Sequence, residues 1–558
     1  MNAYTAAHQA AVAQLTSPGA PFELGLYERN GHSFKYYKNA AANLRQAIDQ
    51  GRQFGDAPFV QYQDQSLTFT EFFDAVDRLS RALLEQHSIS PKDPIAIAMR
   101  NRPEWLIAFV AIINIGGVAV LLNSWGKGPE LQQGLRDSQA KLLIADKERL
   151  DLADGRAIAV PTLSVDAQAS EADAHWQQTL ASHAPLTDHS IDISGEDPAV
   201  LMFTSGTSGT PKGALFPHLT LCQIMMNYEF IGAATYMTNT EAVTTQMSSG
   251  IRGNTLLAVP LFHVSGLLSQ ALMNLRFGRG IHIMYRWDAA EAIRLIERES
   301  ITGLTGAPKM MMDLLTHADW TAEKGRTLQN TSAAGSATPE VLHNLILEKV
   351  PSCLSGGGWG LTESGGTGVA FTGAHAHERP GASGYQSPIV EFSFRDEAGR
   401  ELPRGTPGEI WLRGITVIPR YSSGSDNSEF VDGWFRTGDV GYFSDEDLLY
   451  ISGRVKEMII RGGENIYPAE IEACLLEVSD VAEVGIVGVA SEQWGEEVAA
   501  VVRFHEGAST TLDELATHCA ARLAAYKQPV LWKVTAEPLP RNALQKLLKA
   551  DIRERFFS

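Results

Sequence analysis

Four cysteines in 558 residues, none of them in a CxxC pair, leave little room for a disulfide framework or a zinc site. Cys222, Cys353, Cys474 and Cys519 stand far apart in the chain, the pattern of reduced thiols in a cytoplasmic protein. Basic residues are outnumbered, 46 against 65, and the net charge of −19 argues against a nucleic-acid partner or an anionic membrane surface. The amino terminus lacks a basic stretch followed by an apolar core, so no signal peptide is expected. Long apolar runs are scarce too. Leu106 to Leu122 comes nearest, but it holds Asn114 and is split by Gly116 and Gly117, which predicts a buried helix, a turn and a strand rather than a transmembrane segment. No tandem repeat recurs at a fixed period. His375-Ala-His377-Glu378 lacks the HExxH spacing of a metal site and lies among glycine and proline, so a surface loop is expected there.

What is present begins with Phe203-Thr-Ser-Gly-Thr-Ser-Gly-Thr-Pro-Lys-Gly213, which carries five hydroxyls, three glycines and one lysine. An apolar stretch, Ala199 to Met202, precedes it and reads as a strand. Such a loop can turn many backbone N–H groups and hydroxyls toward one point, with Lys212 adding a cation, as a polyphosphate requires. It is not a Walker A loop, because Lys212 follows Pro211 and precedes Gly213. The competing reading, a flexible Ser/Thr/Gly linker, sits badly with the strand before it and the proline within it.

Chain length and hydrophobic content of 44% fit a soluble globular protein of two or more domains. Helical patterns over Phe69–His87, Glu104–Ile115, Ala289–Glu299 and Glu340–Lys349 alternate with short apolar runs at Pro94–Ala98, Gly117–Leu121, Leu142–Ala145 and Gly280–Met284. That alternation predicts an α/β fold with largely parallel sheets. After Gly384, short strands between Gly/Pro turns (Val390–Arg395, Gly408–Leu412, Leu448–Ser452) suggest a small β-rich subdomain closing the large domain. A compact tail follows, with a helix opened by Pro468 (Ala469–Glu477), strands at Val481–Val489 and Glu497–Phe504, and a helix over Leu512–Ala525. The boundary is placed near Lys456: residues 1–455 form a large N-terminal domain of layered α/β sheets, and 456–558 a small mobile α+β C-terminal domain.

Further motifs stand in a fixed order. They are Pro260-Leu-Phe-His-Val-Ser-Gly266, Gly358-Trp-Gly-Leu-Thr-Glu-Ser364, Phe435-Arg-Thr-Gly-Asp-Val-Gly441, the stretch from Gly453-Arg454 to Glu472, and Pro540-Arg-Asn-Ala-Leu-Gln-Lys546. With the phosphate loop, this set resembles the adenylate-forming superfamily of acyl-CoA synthetases, luciferases and peptide-synthetase adenylation domains. The resemblance covers nearly the whole chain, and Gly462-Gly-Glu-Asn-Ile-Tyr-Pro-Ala-Glu-Ile-Glu472 is most similar to the acyl-CoA synthetase branch.

The resemblance implies a role for each motif. Thr204, Ser205, Gly206, Thr207, Ser208, Gly209, Thr210 and Lys212 would hold the β- and γ-phosphates of ATP while pyrophosphate departs. Glu363 would hold Mg²⁺, a hard oxygen ligand for a hard cation; taken alone it is an ordinary carboxylate at a helix start. Trp359 occupies the place of the family's usual tyrosine and would stack on adenine, beside Gly360 and Thr362; alone it reads equally as a core tryptophan. Gly335, Ser336 and Ala337 match the turn that flanks adenine in relatives. Asp439 would accept both ribose hydroxyls, although an Asp in a Thr-Gly-Asp turn is by itself a turn former. Arg454 would add a ribose or phosphate contact. Lys546 would meet the carboxylate and α-phosphate as charge builds, where the competing reading is a solvated lysine near Lys549 and Arg553.

For the second half-reaction, the resemblance implies that the small domain rotates. The lysine loop would withdraw and Gly462 and Gly463 would line a pantetheine tunnel for CoA, with Lys456 at the hinge. His263, Lys309 and Met310 are the candidates for the acyl pocket; of Met310, Met311 and Met312 at most two can line it. His263 reads equally as a packed core residue. Lys309 stands where relatives carry a small or hydroxyl residue, either to meet a polar group on the acid or to face solvent. Gln545 replaces the glycine that commonly precedes the catalytic lysine, which restricts that loop.

The expected activity is that of a cytoplasmic, AMP-forming acyl-CoA ligase using ATP, Mg²⁺, CoA and a largely apolar monocarboxylic acid, with a medium- or long-chain fatty acid favoured over an aryl or terpenoid acid. The alternatives are an enzyme that passes its acyl-adenylate to another carrier or oxidises it, and a nucleotide-binding protein without turnover. Oligomeric state is left open, a homodimer included.

Overall fold

The computed structural model describes residues 2–152, 160–166, 174–188, 190–204, 212–333, 340–422, 427–542 and 545–558. Two large sheets, a five-stranded one in the tail and a two-stranded pair, Leu24–Arg29 with His32–Tyr37, organise them.

The first sheet has seven strands, in the order Lys212–Pro217, Pro198–Thr204, Val118–Leu121, Pro94–Ala98, Leu142–Ala145, Thr162–Ser164 and Ala174–His175. All neighbours are parallel except the first two, an antiparallel pair in which Thr204 lies opposite Lys212. The apolar run from Leu106 to Leu122 forms the helix Pro103–Asn114 and the strand Val118–Leu121. Pro at the helix start fixes its φ for the first turn, and Gly116 at φ +71° turns the chain into the strand. Every residue from Trp105 to Asn114 is buried, so the helix is apolar all round because protein surrounds it. No helix among the described residues is long and apolar enough to cross a membrane. Against it packs the helix Phe69–Glu85, opened by a Thr68–Glu71 capping box and burying Phe72, Val76, Leu79 and Leu83 on one face.

The second sheet runs through parallel strands Pro58–Tyr62, Gly280–Ile283, Asn254–Leu257, Gly303–Gly306, Asn330–Ala333 and Leu354–Trp359. It then continues, antiparallel, through Val369–Thr372, Ala382–Gln386, Leu448–Arg454, Trp434–Phe443, Gly408–Gly414 and Val390–Arg395. The β-rich segment expected after Gly384 is thus hydrogen-bonded into the large sheet, and the change to antiparallel pairing already occurs at Val369.

The tail forms a five-stranded sheet from Ile459–Arg461, Glu464–Ile466, Val481–Ser491, Gly495–Phe504 and Leu531–Val534, with the helix Pro468–Leu476 against it. The next helix ends at Ala520, short of the expected Ala525. Leu523 enters the core beside Leu515 and Cys519, and Ala524 at ψ 147° leaves the helix there. Cys474 and Cys519, distant in sequence, share this core; all four cysteines are buried free thiols.

The expected surface loop at His375 is not one. Residues Ala374–Glu378 form a short helix, and His375 is buried with Nδ1 2.7 Å from the Tyr385 hydroxyl and its ring stacked on Tyr4. The sequence signal was local, whereas the cover is not: Tyr4, Thr5 and His8 arrive on the N-terminal helix Ala3–Thr16. No group of three metal-ligating side chains occurs among the described residues.

Candidate active site

The antiparallel pair at the edge of the first sheet places Thr204 and Lys212. Thr204 and Lys212 face each other where the strands part, and the residues between them, Ser205, Gly206, Thr207, Ser208, Gly209 and Thr210, lie outside the described residues. Lys212 Nζ is 2.6 Å from Glu429 Oε1 and 5.1 Å from the centre of the Tyr421 ring. Tyr421 is tied to the same strand by a bridge to Ala214, and its hydroxyl donates to Glu363 Oε1 at 2.7 Å. Lys212, Tyr421 and Glu363 are therefore linked through one set of contacts.

Glu363 sits in the 3₁₀ turn Thr362–Ser364 that follows the strand ending at Trp359. Burial raises its pKa, against the Tyr421 hydrogen bond and the Arg454 charge, which favour the carboxylate. Thr362 lies beside it, half-buried. Gly360 permits the close turn before it, since a Cβ there would meet the Gly366 backbone at 2.3 Å. One buried carboxylate with few protein partners fits a magnesium ion that arrives on ATP, because that cation keeps phosphate and water oxygens as its other ligands.

Asp439 and Arg454 are directly opposed on neighbouring strands, and Arg454 Nε lies 2.9 Å from Asp439 Oδ1. The other oxygen, Oδ2, accepts from the Trp359 indole N–H at 2.9 Å. Trp359, Asp439 and Arg454 thus form one hydrogen-bonded plate, and Asp439 is only 4% exposed. Gly335, Ser336 and Ala337 lie outside the described residues.

Lys546, on the tail, lines the same cavity as Trp359, Asp439 and Arg454. Burial first, and then Arg454, lower its pKa, while Asp439, Glu457 and Glu363 act the other way. Its loop is tight: Asn542 N–H donates to the Lys546 carbonyl at 3.0 Å, and Lys546 N–H donates to Asn542 Oδ1 at 3.0 Å. Gln545 holds φ at +62°, the conformation glycine adopts without penalty, and Arg541 Nη1 donates to its carbonyl at 2.6 Å.

His263 also belongs here. Burial and the nearby Lys546 charge pull its pKa down to about 3, so it is neutral at physiological pH. It opens the short helix Val264–Gly266 with its ring tilted on Phe262. Lys309 lines the cavity and pairs with Asp313 one turn along its own helix. Met310 and Met312 line the cavity, and Met311 faces the core instead.

One cavity of about 3320 Å³ takes in Thr204, Lys212, Glu363, Trp359, Asp439, Lys546, His263 and Met310. Lys456 lines its edge, in the 3₁₀ turn Val455–Glu457 directly after Arg454. Gly462 and Gly463 form the turn between two tail strands, at φ +60° and +88°, and do not line it. Sequence reasoning missed Tyr421 and Glu429, because no local motif marks a contact made 58 and 217 residues away.

Comparison with known proteins identifies the family. The family described as AMP-binding enzyme matches residues 48–422, and its C-terminal domain matches 470–546. A feruloyl-CoA synthase of an Amycolatopsis species is 30% identical over 91% of this chain and 98% of its own. A long-chain-fatty-acid–CoA ligase of Mycobacterium tuberculosis is 30% identical over 84% and 89%. The structure of o-succinylbenzoate CoA synthetase from Bacillus subtilis with its acyl-adenylate intermediate superposes with a TM-score of 0.73 at 29% identity, covering 91% of this chain and 97% of that one. The chain belongs to the AMP-binding enzyme family and is an AMP-forming acid–thiol ligase of its acyl-CoA synthetase branch, with ATP, magnesium and CoA as the co-substrates that branch uses.

Proposed function

We propose that this enzyme activates an elongated, largely apolar carboxylic acid of medium to long reach, working in the cytoplasm. The observation that carries the reading is the continuity of the cavity. It runs from Lys546 and His263 past Gly306 to Thr255 and Met273, lined by Tyr228, Ile231 and Met247 on the helices opposite the second sheet. Flexible and aliphatic side chains accommodate an extended chain. Relatives named for feruloyl-CoA, succinylbenzoate and long-chain fatty acids support an acid larger than acetate.

In the first half-reaction the acid's carboxylate oxygen attacks the α-phosphate of ATP, and pyrophosphate leaves. Lys212 and the phosphate loop hold the departing phosphates, Asp439 and Arg454 hold the ribose, and Trp359 lies under adenine. Lys546 neutralises charge gathering between carboxylate and α-phosphate, and neutral His263 bounds the acid without adding charge. Magnesium held at Glu363 would supply charge neutralisation on the phosphates.

In the second half-reaction the tail, residues 456–558, turns about Lys456. Lys546 withdraws, the Gly462-Gly463 turn takes its place, and the CoA thiol attacks the acyl carbonyl as AMP leaves. The observation favouring two arrangements is that Lys546 lines the cavity while Gly462 and Gly463 do not. The test is AMP, pyrophosphate and thioester formation with a panel of acids, with and without CoA. Acid-dependent thioester formation supports the reading; pyrophosphate exchange without a CoA-dependent thioester would assign the adenylate to another carrier.

A further inference from the structure

The far end of the cavity is built for charge. Beyond Gly306 the space follows the parallel strands Asn254–Leu257, Gly303–Gly306 and Asn330–Ala333 back toward their amino ends, where Arg279 lines it. Four strand residues at about 3.3 Å each set this end roughly 13 Å from the turn where the Met310 helix begins.

Arg279 stands in the loop leading into the Gly280–Ile283 strand. Its stem lies over Gly253, where a Cβ would come within 2.9 Å of the arginine Cδ. The absent side chain at 253 is what leaves the arginine room. Arg279 has accessible surface, yet dehydration by surrounding protein lowers its pKa, and no charged group or hydrogen bond offsets that. Arg279 lines the cavity and is itself exposed, as is Phe277 beside it. Among the described residues it makes no ion pair; its one ring contact is with Phe277, at 5.4 Å. Lys309, near the other end, is already paired with Asp313.

The neighbours of Arg279 are polar as well. Asn274 gives its backbone carbonyl to the Arg279 N–H at 2.9 Å and its Oδ1 to the Thr255 hydroxyl at 3.2 Å. Gln270, one turn before Asn274, is 3% exposed and also lines the cavity. Asn274 and Thr255 satisfy each other and Gln270, so the guanidinium is the group here from which the methyl end of a fatty acid would displace water and give nothing back. A carboxylate gives the guanidinium a planar, two-oxygen partner.

We propose that Arg279 forms a distal anion subsite and that the acid is a dicarboxylic one, with one carboxylate at Lys546 and the other at Arg279. The proposal rests on the acyl-CoA ligase reading and narrows its substrate class. Its test compares saturated monocarboxylic acids with α,ω-dicarboxylic acids of equal length, by kcat/KM for AMP release and by calorimetric binding of the acid. Wild type prefers one length of diacid over its monoacid by about 10- to 100-fold, the range of a charge-assisted hydrogen-bonded pair. Arg279→Met removes that preference through KM with little change in kcat, and Arg279→Lys restores part of it. An ATP-induced rise in Tm reports that each variant is folded.

Equal use of diacid and monoacid by wild type, or an unchanged preference in Arg279→Met, overturns the subsite. Thioester formation from monoacids in either case leaves the ligase reading standing. Failure of every acid to release AMP defeats the ligase reading instead. Binding of the diacid alone then decides the subsite, holding it if Arg279→Met weakens binding by that factor and overturning it if not.

Discussion

Lys212 and Glu429, 217 residues apart in the chain, meet at 2.6 Å beside the phosphate loop. The carboxylate occupies the place that the resemblance gives to a nucleotide phosphate, so ATP must exchange one anion for another at Lys212. Both side chains retain some exposure, which limits the worth of the pair to about 1 kcal/mol. Glu429→Gln is expected to tighten ATP binding about fivefold by removing the competitor. Titration calorimetry checks it, and weaker binding would make Glu429 part of the nucleotide site.

The pH profile follows from two shifted groups. Burial raises the Glu363 pKa, and its carboxylate form is the one needed, so kcat/KM for ATP falls as pH drops through a value above the ordinary glutamate range. Burial lowers the Lys546 pKa, and its ammonium form is the one needed, so adenylation falls as pH rises through a value below the ordinary lysine range. The bell is therefore narrower than unperturbed groups would give. Lys546→Ala should lose the alkaline limb and keep the acid one.

Gln545 carries a left-handed backbone at a cost of about 1 kcal/mol. Gln545→Gly is expected to keep or raise the adenylation rate. Gln545→Val, whose branched side chain fits that conformation worst, should lower it about tenfold, read by pyrophosphate release. Equal rates in the two variants would show that loop strain has no part in catalysis.

The Tyr385 hydroxyl joins Thr5 at 3.1 Å and His375 at 2.7 Å, both buried. Tyr385→Phe leaves those two groups short of a partner and should destabilise the fold by about 1–3 kcal/mol. Thermal unfolding is expected at lower temperature with adenylation kinetics unchanged, since Thr5, His375 and Tyr385 do not line the cavity that holds Lys546.

Local patterns made much of the fold readable. The strand Leu142–Ala145 and the helix Glu340–Lys349 have the bounds their apolar spacing predicts, because each is set by burial over a few neighbouring residues. The helix expected to reach Ala525 stops at Ala520, because the tail's core claims Leu523 and outweighs helix propensity. His375 reads as surface in sequence and is buried in fact, since its cover comes from residues 4–8. Around the cavity, Glu363, Asp439 and Lys546 stand within the motifs read from the sequence, whereas Tyr421, Glu429 and Arg279 lie in segments with no motif. Their meaning arises only where distant strands converge.

The most direct test separates the two half-reactions in Lys546→Ala. Supplied with acid, ATP and magnesium, the variant should form acyl-adenylate 10²–10³-fold more slowly than wild type, about 3–4 kcal/mol of lost stabilisation. Supplied with preformed acyl-adenylate and CoA, it should make the thioester at nearly the wild-type rate. Equal loss in both half-reactions would contradict the account, because Lys546 would then serve a site that never gives way to CoA.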